Sequence, residues 1–197
     1  MTELLTVQTG ETTWETEARM DSIAGAPLSE KGQEQVAQAG KGLVPRKPTV
    51  IYASLGEAEQ QTAKLLAKEL SVKVKTEEAL GEIDYGLWQG LTMDEIKRRQ
   101  PRLHKQWLES PGSVRPPGGE TLVEAQERIW QAVEEITKRE KKQRLVIVLR
   151  PVAIGLLRCR LSGDPIEMLW QRVSRDMDCQ AYQVRCKANQ MVLCDKE

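Results

Sequence analysis

The five-residue run Leu145-Val146-Ile147-Val148-Leu149 is apolar without interruption and is followed by Arg150-Pro151. A strand with apolar side chains on both sides must be covered on both faces, which places it centrally in a largely parallel sheet. Pro151 suits the first turn of a following helix, since that position needs no N–H donor. Leu4 to Thr9 is a second apolar-rich strand, ending in Gly10, and Thr49 to Ala53 is a third. Val72 to Val74 reads as a short strand, and the alternation between Cys179 and Cys194 predicts two more, with Tyr182, Val184 and Cys186 sharing a face.

Between these strands lie segments of helical character. Ser29 is placed as N-cap of a helix running to Leu43, after which Pro45 and Pro48 stop it. Glu57 to Leu70 carries Ala58, Leu65, Leu66 and Leu70 at helical spacing; Met93 to Leu108 is helical with a break near Pro101; Glu120 to Lys142 is a long amphipathic helix with a solvent-facing basic end. Strands separated by helices predict a three-layer α/β/α sandwich, and 197 residues suit one domain over 1–197. In such folds ligands sit beyond the carboxyl ends of the strands, which directs attention to Thr9-Gly10. The Gly-punctuated connection from Leu80 to Thr92 holds Glu82, Asp84 and Trp88, and long connections in compact domains tend to be functional.

Composition narrows the chemistry. Lys and Arg number 29 and Asp and Glu 29, so nothing in the net charge favours a nucleic acid or a membrane surface as partner. No apolar run approaches the length of a membrane span, and the N-terminus has no signal-like pattern, so a cytoplasmic location is expected. Cys159, Cys179, Cys186 and Cys194 form no CxxC pair and are expected as reduced, buried thiols; neither metal nor cofactor is expected. The chain has a single histidine, His104, expected on an exposed helical face.

Several segments, in order, resemble the histidine phosphatase superfamily, the phosphoglycerate-mutase-like fold. Thr6-Val7-Gln8-Thr9-Gly10-Glu11-Thr12-Thr13-Trp14 is similar to that family's LVRHGETxW, and Ala26 to Gly32 to its DxPLTExG. Ile51-Tyr52-Ala53-Ser54 with Gln61-Thr62-Ala63 resembles IYSSxLxRAxQTA, and Leu80 to Thr92 resembles LREIxxGxWEGLT. Pro117 to Thr121 resembles PGGES, and Val148 to Pro151 resembles VSHG.

The resemblance implies phosphoryl transfer to a histidine, with two arginines and a second histidine holding the phosphate oxygens. Position by position, the first Arg is Gln8 here, the nucleophilic His is Thr9, and the second His is Arg150; Gly10 is retained. The second Arg becomes Ala58 in the ungapped register or Glu57 in the other, and the Asn that commonly follows the Trp is Glu15. Glu82 remains at the place of a proposed general acid.

Phosphate binding relies on preorganised donors and positive charge. The implied pocket offers one fixed cation among carboxylates, and each charge-assisted hydrogen bond lost costs on the order of 1.5–3 kcal/mol. Thr9 would need an adjacent base to act as a nucleophile, and no histidine serves; its plainer reading is a polar strand end bonded to local backbone. Arg150 is expected in a salt bridge with Glu82 or Glu15 rather than as an anion anchor, and Trp14 and Trp88 as packing residues. The expectation is a phosphatase-like protein without catalysis, acting by binding or regulation. Two alternatives stand beside it: a hydrolase pairing Glu82 with Asp84 or Glu15 as acid and base, or a sensor of a neutral or cationic small molecule.

Overall fold

The computed structural model describes residues 2–22, 25–173, 177–187 and 190–193, with side chains described as far as Val184 and at Met191. Six strands form one sheet: β1 (Thr2–Gln8), β2 (Val50–Ala53), β3 (Lys73–Thr76), β4 (Arg144–Leu149), β5 (Cys179–Lys187) and β6 (Gln190–Leu193), in the order β3-β2-β4-β1-β5-β6. The first four are parallel, with Gln8 beside Leu149 and Tyr52 beside Ile147, and β5 and β6 add an antiparallel edge. The helices are α1 (Thr13–Thr16), α2 (Glu30–Leu43), α3 (Glu57–Leu70), α4 (Met93–Arg99), α5 (Pro101–Glu109), α6 (Leu122–Arg139), α7 (Pro151–Ser162) and α8 (Leu169–Arg172).

Alternation along the strands explains the layers. Val146 and Val148 of β4, with Leu5, Val7, Ile51 and Ala53, pack against Val36 of α2 and Ala63 and Leu66 of α3. Leu145, Ile147 and Leu149, one residue out of step, join Leu4 and Tyr52 in a second core with Ile129 and Val133 of α6 and Ile154 and Leu157 of α7. The central strand is therefore apolar on both faces because each face meets a helical layer.

Pro151 opens α7 and Ser29 caps α2 as the sequence predicts. Ser29 Oγ accepts from the Gly32 N–H at 3.0 Å and donates to Glu11 Oε1 at 2.9 Å. Replacing Ser29 with Ala should therefore lower stability by about 1 kcal/mol, read as an earlier urea midpoint at unchanged slope. The same turn lies against the loop after β1: a Cβ on Gly10 would sit 2.4 Å from the Gly32 carbonyl oxygen, so that close approach needs glycine.

Four expectations are corrected. Leu65 is exposed because the buried stripe of α3 runs through Ala58, Glu59, Thr62, Ala63 and Leu66. The helix expected to reach Lys142 ends at Arg139. His104 is half-buried on α5. Cys159 is buried but Cys179 is exposed, because a groove bordered by Gln35, Ala39 and Met177 separates α2 from β5. Cys194 and the side chain of Cys186 lie outside the described residues. No helix is long and apolar enough to cross a membrane, and no group of three or more His, Cys, Asp or Glu suits a metal ion, both among the described residues.

Candidate functional site

Parallel order brings the carboxyl ends of β1 and β4 together, with the Thr9 N–H donating to the Leu149 carbonyl at 2.9 Å. Arg150 follows directly, 2% exposed, and its guanidinium lies within a group of carboxylates. Nη1 donates to Asp21 Oδ2 at 2.8 Å and Nη2 reaches Glu15 Oε1 at 3.4 Å. Glu15 was one of the two partners expected; Glu82 acts on Arg150 through its field rather than by direct contact. Burial works against the Arg150 charge, but Glu15, Glu59, Asp21 and Glu82 outweigh it and hold the guanidinium protonated.

Glu82 is fixed by main chain on both oxygens. Oε1 accepts from its neighbour Ile83 N at 2.8 Å, and Oε2 accepts from Val152 N at 2.9 Å. Val152 is in the first turn of α7, where N–H groups lack helical partners and Pro151 supplies none, so Glu82 caps that helix from a distant segment. Burial raises the Glu82 carboxyl to about 7, with Arg150 and the two N–H groups pulling the other way. Burial likewise raises Glu15 and Glu59, again against Arg150. Tyr85, buried beside this group, is pushed well above the usual phenol range by burial and by the Glu82 charge.

The remaining expected positions divide. Thr9 is buried and its hydroxyl has no hydrogen-bond partner among the described residues, a departure from the expected local backbone bond. Gln8 is buried at the end of β1, and the Gly10 N–H donates to Thr62 Oγ1 at 3.3 Å. Ala58 is packed into the core, while Glu57 is exposed and accepts from Gln61 Nε2 at 2.6 Å. Neither reaches the site; the α3 residue that does is Glu59, one position on, because the helix turns that side chain inward. Trp88 is buried with Nε1 donating to Gln100 Oε1, and Trp14 packs partly buried against Gly90, so both are packing residues.

Sequence reasoning missed Asp21 and Glu59. Asp21 lies in a loop without periodicity, whereas Glu59 gave a signal: it falls on the stripe with Thr62, Ala63 and Leu66.

Above this group opens a cleft of about 750 Å³, bordered by the β2–α3 turn, residues 77–84 and Gly118 to Glu120. Glu59 and Glu82 line it; Thr9, Ala58 and Arg150 do not. Among the described residues the lining holds six carboxylates and one cation, Arg128, which is engaged by Glu120 and by the carbonyl oxygens of Ala79 and Gly81. Asp84 shares the cleft with Glu82 and accepts from Gly86 N at 2.8 Å, whereas Glu15 is held on Arg150.

Residues 5–194 match the family described as Histidine phosphatase superfamily (branch 1). The chain is 29% identical over 170 residues to phosphoserine phosphatase 1 of Hydrogenobacter thermophilus, covering 86% of this chain and 81% of that protein. It is 26% identical over 165 residues to a probable phosphoglycerate mutase, GpmB, of Salmonella paratyphi C, covering 84% and 77%. Among solved structures, YhfR of Bacillus stearothermophilus superposes with a TM-score of 0.88 at 26% identity, over 98% of this chain and 95% of that one.

Proposed function

The chain belongs to the histidine phosphatase superfamily, branch 1, and we propose that it keeps that scaffold without its phosphoryl chemistry and acts instead by binding a ligand or partner. The observation that carries this reading is the state of Arg150. Arg150, the one cation at the carboxyl strand ends among the described residues, is already paired with Asp21 and Glu15, with Glu59 and Glu82 nearby. An incoming phosphate, with close to two negative charges, would have to displace those carboxylates and would meet six more acidic groups than free cations on its way in. The nucleophile position offers Thr9, which is buried, does not line the cleft and has a hydroxyl with no hydrogen-bond partner among the described residues to take its proton.

Purified protein should show no turnover of p-nitrophenyl phosphate above background. Turnover that disappears on Thr9→Ala or Glu82→Gln would overturn the proposal. A second reading, an altered hydrolase, is favoured by one observation: a cleft-lining Glu82 raised by burial to about 7 suits general acid or base work, and Asp84 of the same segment lines the cleft too. Glu15 drops out of that pairing because Arg150 and the cap of α1 hold both its oxygens. Hydrolysis of a non-phosphate ester with a bell-shaped pH profile lost on Glu82→Gln would favour it over the first.

A further inference from the structure

Charge is segregated in this fold although its sum is zero. Carboxylates gather beyond the carboxyl ends of the parallel strands, around Arg150 and along the cleft. The amino ends, at the far side of the sheet, carry the opposite sign. Three neighbouring pieces of chain meet there: the turn before β2, the turn before β4 and the first residue of β3. They lie side by side, with Thr49 N donating to the Arg144 carbonyl at 2.9 Å, Arg144 Nη1 donating to the Arg46 carbonyl at 3.1 Å, and Val50 paired with Lys73. The turn before β4 also reaches β1, where the Lys142 N–H donates to Thr2 Oγ1 at 3.2 Å.

The carboxylates beside these turns are already engaged. Glu3 lies between Arg46 at 3.2 Å and Arg144 at 3.6 Å, and Glu140 accepts from the Tyr52 hydroxyl and from Lys75 Nζ. Lys47, Lys73, Lys141 and Lys142 are exposed, and their ammonium groups have no ion pair or hydrogen bond among the described residues. Local structure does not ask for these lysines. Lys138 and Arg139 in the last turn of α6 complement its dipole, but the four free lysines stand in turns or at a strand start, outside the α-helices. Two of them hold left-handed backbone, Lys47 at φ 49° and Lys142 at φ 61°, a conformation that glycine adopts freely and a lysine only under strain. A cation is kept where the main chain alone would take glycine.

From this arrangement we infer that the amino-end face of the sheet is a docking surface for an acidic polypeptide segment, whose carboxylates meet the four free lysines. The row crosses three strand spacings from β3 to β1, about 14 Å, the length of about four or five extended residues. The face already takes a carboxylate in this way within the chain, since Glu3 is reached by arginines from two turns. Other polyanions fit less well. Single-stranded nucleic acid calls for exposed rings on which bases stack, whereas Tyr52 is buried beneath Lys75 and Arg139. A duplex groove is entered by a helix or a ribbon, and the cations here sit on turns and a strand start. A membrane needs an apolar anchor beside the charges, and Val44 is the single exposed large apolar residue of these turns. Because the two ends of the molecule differ in sign, an acidic partner is steered to this end, an effect that salt screens. The inference stands apart from the reading of the cleft, so turnover of an aryl phosphate would leave it untouched.

Fluorescence anisotropy of a labelled decaglutamate peptide, titrated with the full chain, tests this. The peptide should bind in the micromolar range at about 30 mM NaCl and about tenfold more weakly at about 300 mM. Lys47→Gly/Lys142→Gly should weaken binding about tenfold while the urea midpoint stays the same or rises, since glycine suits both backbone positions. Lys97→Ala/Lys105→Ala, which removes the same charge from α4 and α5, should change the affinity by less than about twofold. Absence of peptide binding to the wild-type chain at the lower salt would overturn the inference, as would equal weakening by the two double variants. Tighter binding of decathymidylate or of phosphatidylserine vesicles than of the peptide would overturn the assignment to an acidic polypeptide. If the glycine variant does not fold, Lys73→Ser/Lys141→Ser takes its place, with the same loss of binding expected.

Discussion

An Arg150→Met protein should lose about 3–5 kcal/mol of unfolding free energy at pH 8 and much less at pH 5, measured by urea denaturation at both. The expectation follows from where the charges are. Arg150 donates to Asp21 and Glu15 and lowers the carboxyl pKa values of Glu15, Glu59 and Glu82, each of which burial raises. A carboxyl raised on folding contributes stability that is fully present below its unfolded value and is lost as pH rises through its folded value. For Glu82, a folded value of about 7 against an ordinary 4.5 corresponds to on the order of 3 kcal/mol lost across that window.

Without Arg150 the three folded values move further up, so the window widens and more stability is lost by pH 8. At pH 5 Glu82 is largely protonated in the folded protein, Glu15 and Glu59 are shifted in the same direction by burial, and Asp21 retains the Ala26 N–H at 3.1 Å. Methionine fills much of the vacated volume without a charge. An equal loss at both pH values would mean that Arg150 contributes packing rather than charge balance. No loss at pH 8 would mean that the carboxylates are solvated and the cluster is not buried as described.

The parts of this arrangement that could be read from the sequence are those fixed by main-chain chemistry. The apolar β4 run required cover on two faces, Pro151 suited a helix start, and Ser29 suited an N-cap; all three hold because they follow from the main-chain chemistry of a strand or a helix end. The site was legible in place but not in partners. Arg150 sits at a strand end as expected, yet its shortest contact is with Asp21, 129 positions earlier, in a loop with no pattern to give it away. Glu59 was overlooked for a different reason. A glutamate in the first turn of a helix reads as dipole compensation at the surface, and only the angular position of Thr62, Ala63 and Leu66 turns it inward. The cleft's acidity was anticipated in sign from Glu15, Glu57 and Glu82, but only Glu82 of the three lines it.

Trp107→Ala should cost about 3–5 kcal/mol, toward the upper end, by chemical denaturation. The chain has no phenylalanine, so tryptophan carries much of the aromatic packing, and Trp107 on α5 is 2% exposed at the centre of four rings. Its ring meets Tyr85 edge-on at 6.2 Å, Trp88 edge-on at 5.5 Å and Trp170 tilted at 5.3 Å, and its carbonyl accepts from Trp170 Nε1 at 3.0 Å. Each favourable aromatic pair adds about 0.5–1.5 kcal/mol beyond area burial, and alanine forfeits all three as well as leaving a cavity. Trp107→Phe keeps the edge contacts and should cost less than half as much. The consequence for the cleft comes through Tyr85 and Trp88, which anchor the segment that carries Glu82. Releasing them should loosen the bonds from the Ile83 and Val152 N–H groups to that carboxylate, seen as faster amide exchange at both positions. If only the amides of α5 exchange faster while Ile83 and Val152 keep their protection, the aromatic cluster is an independent unit, and the floor of the cleft is held by the buried charges alone.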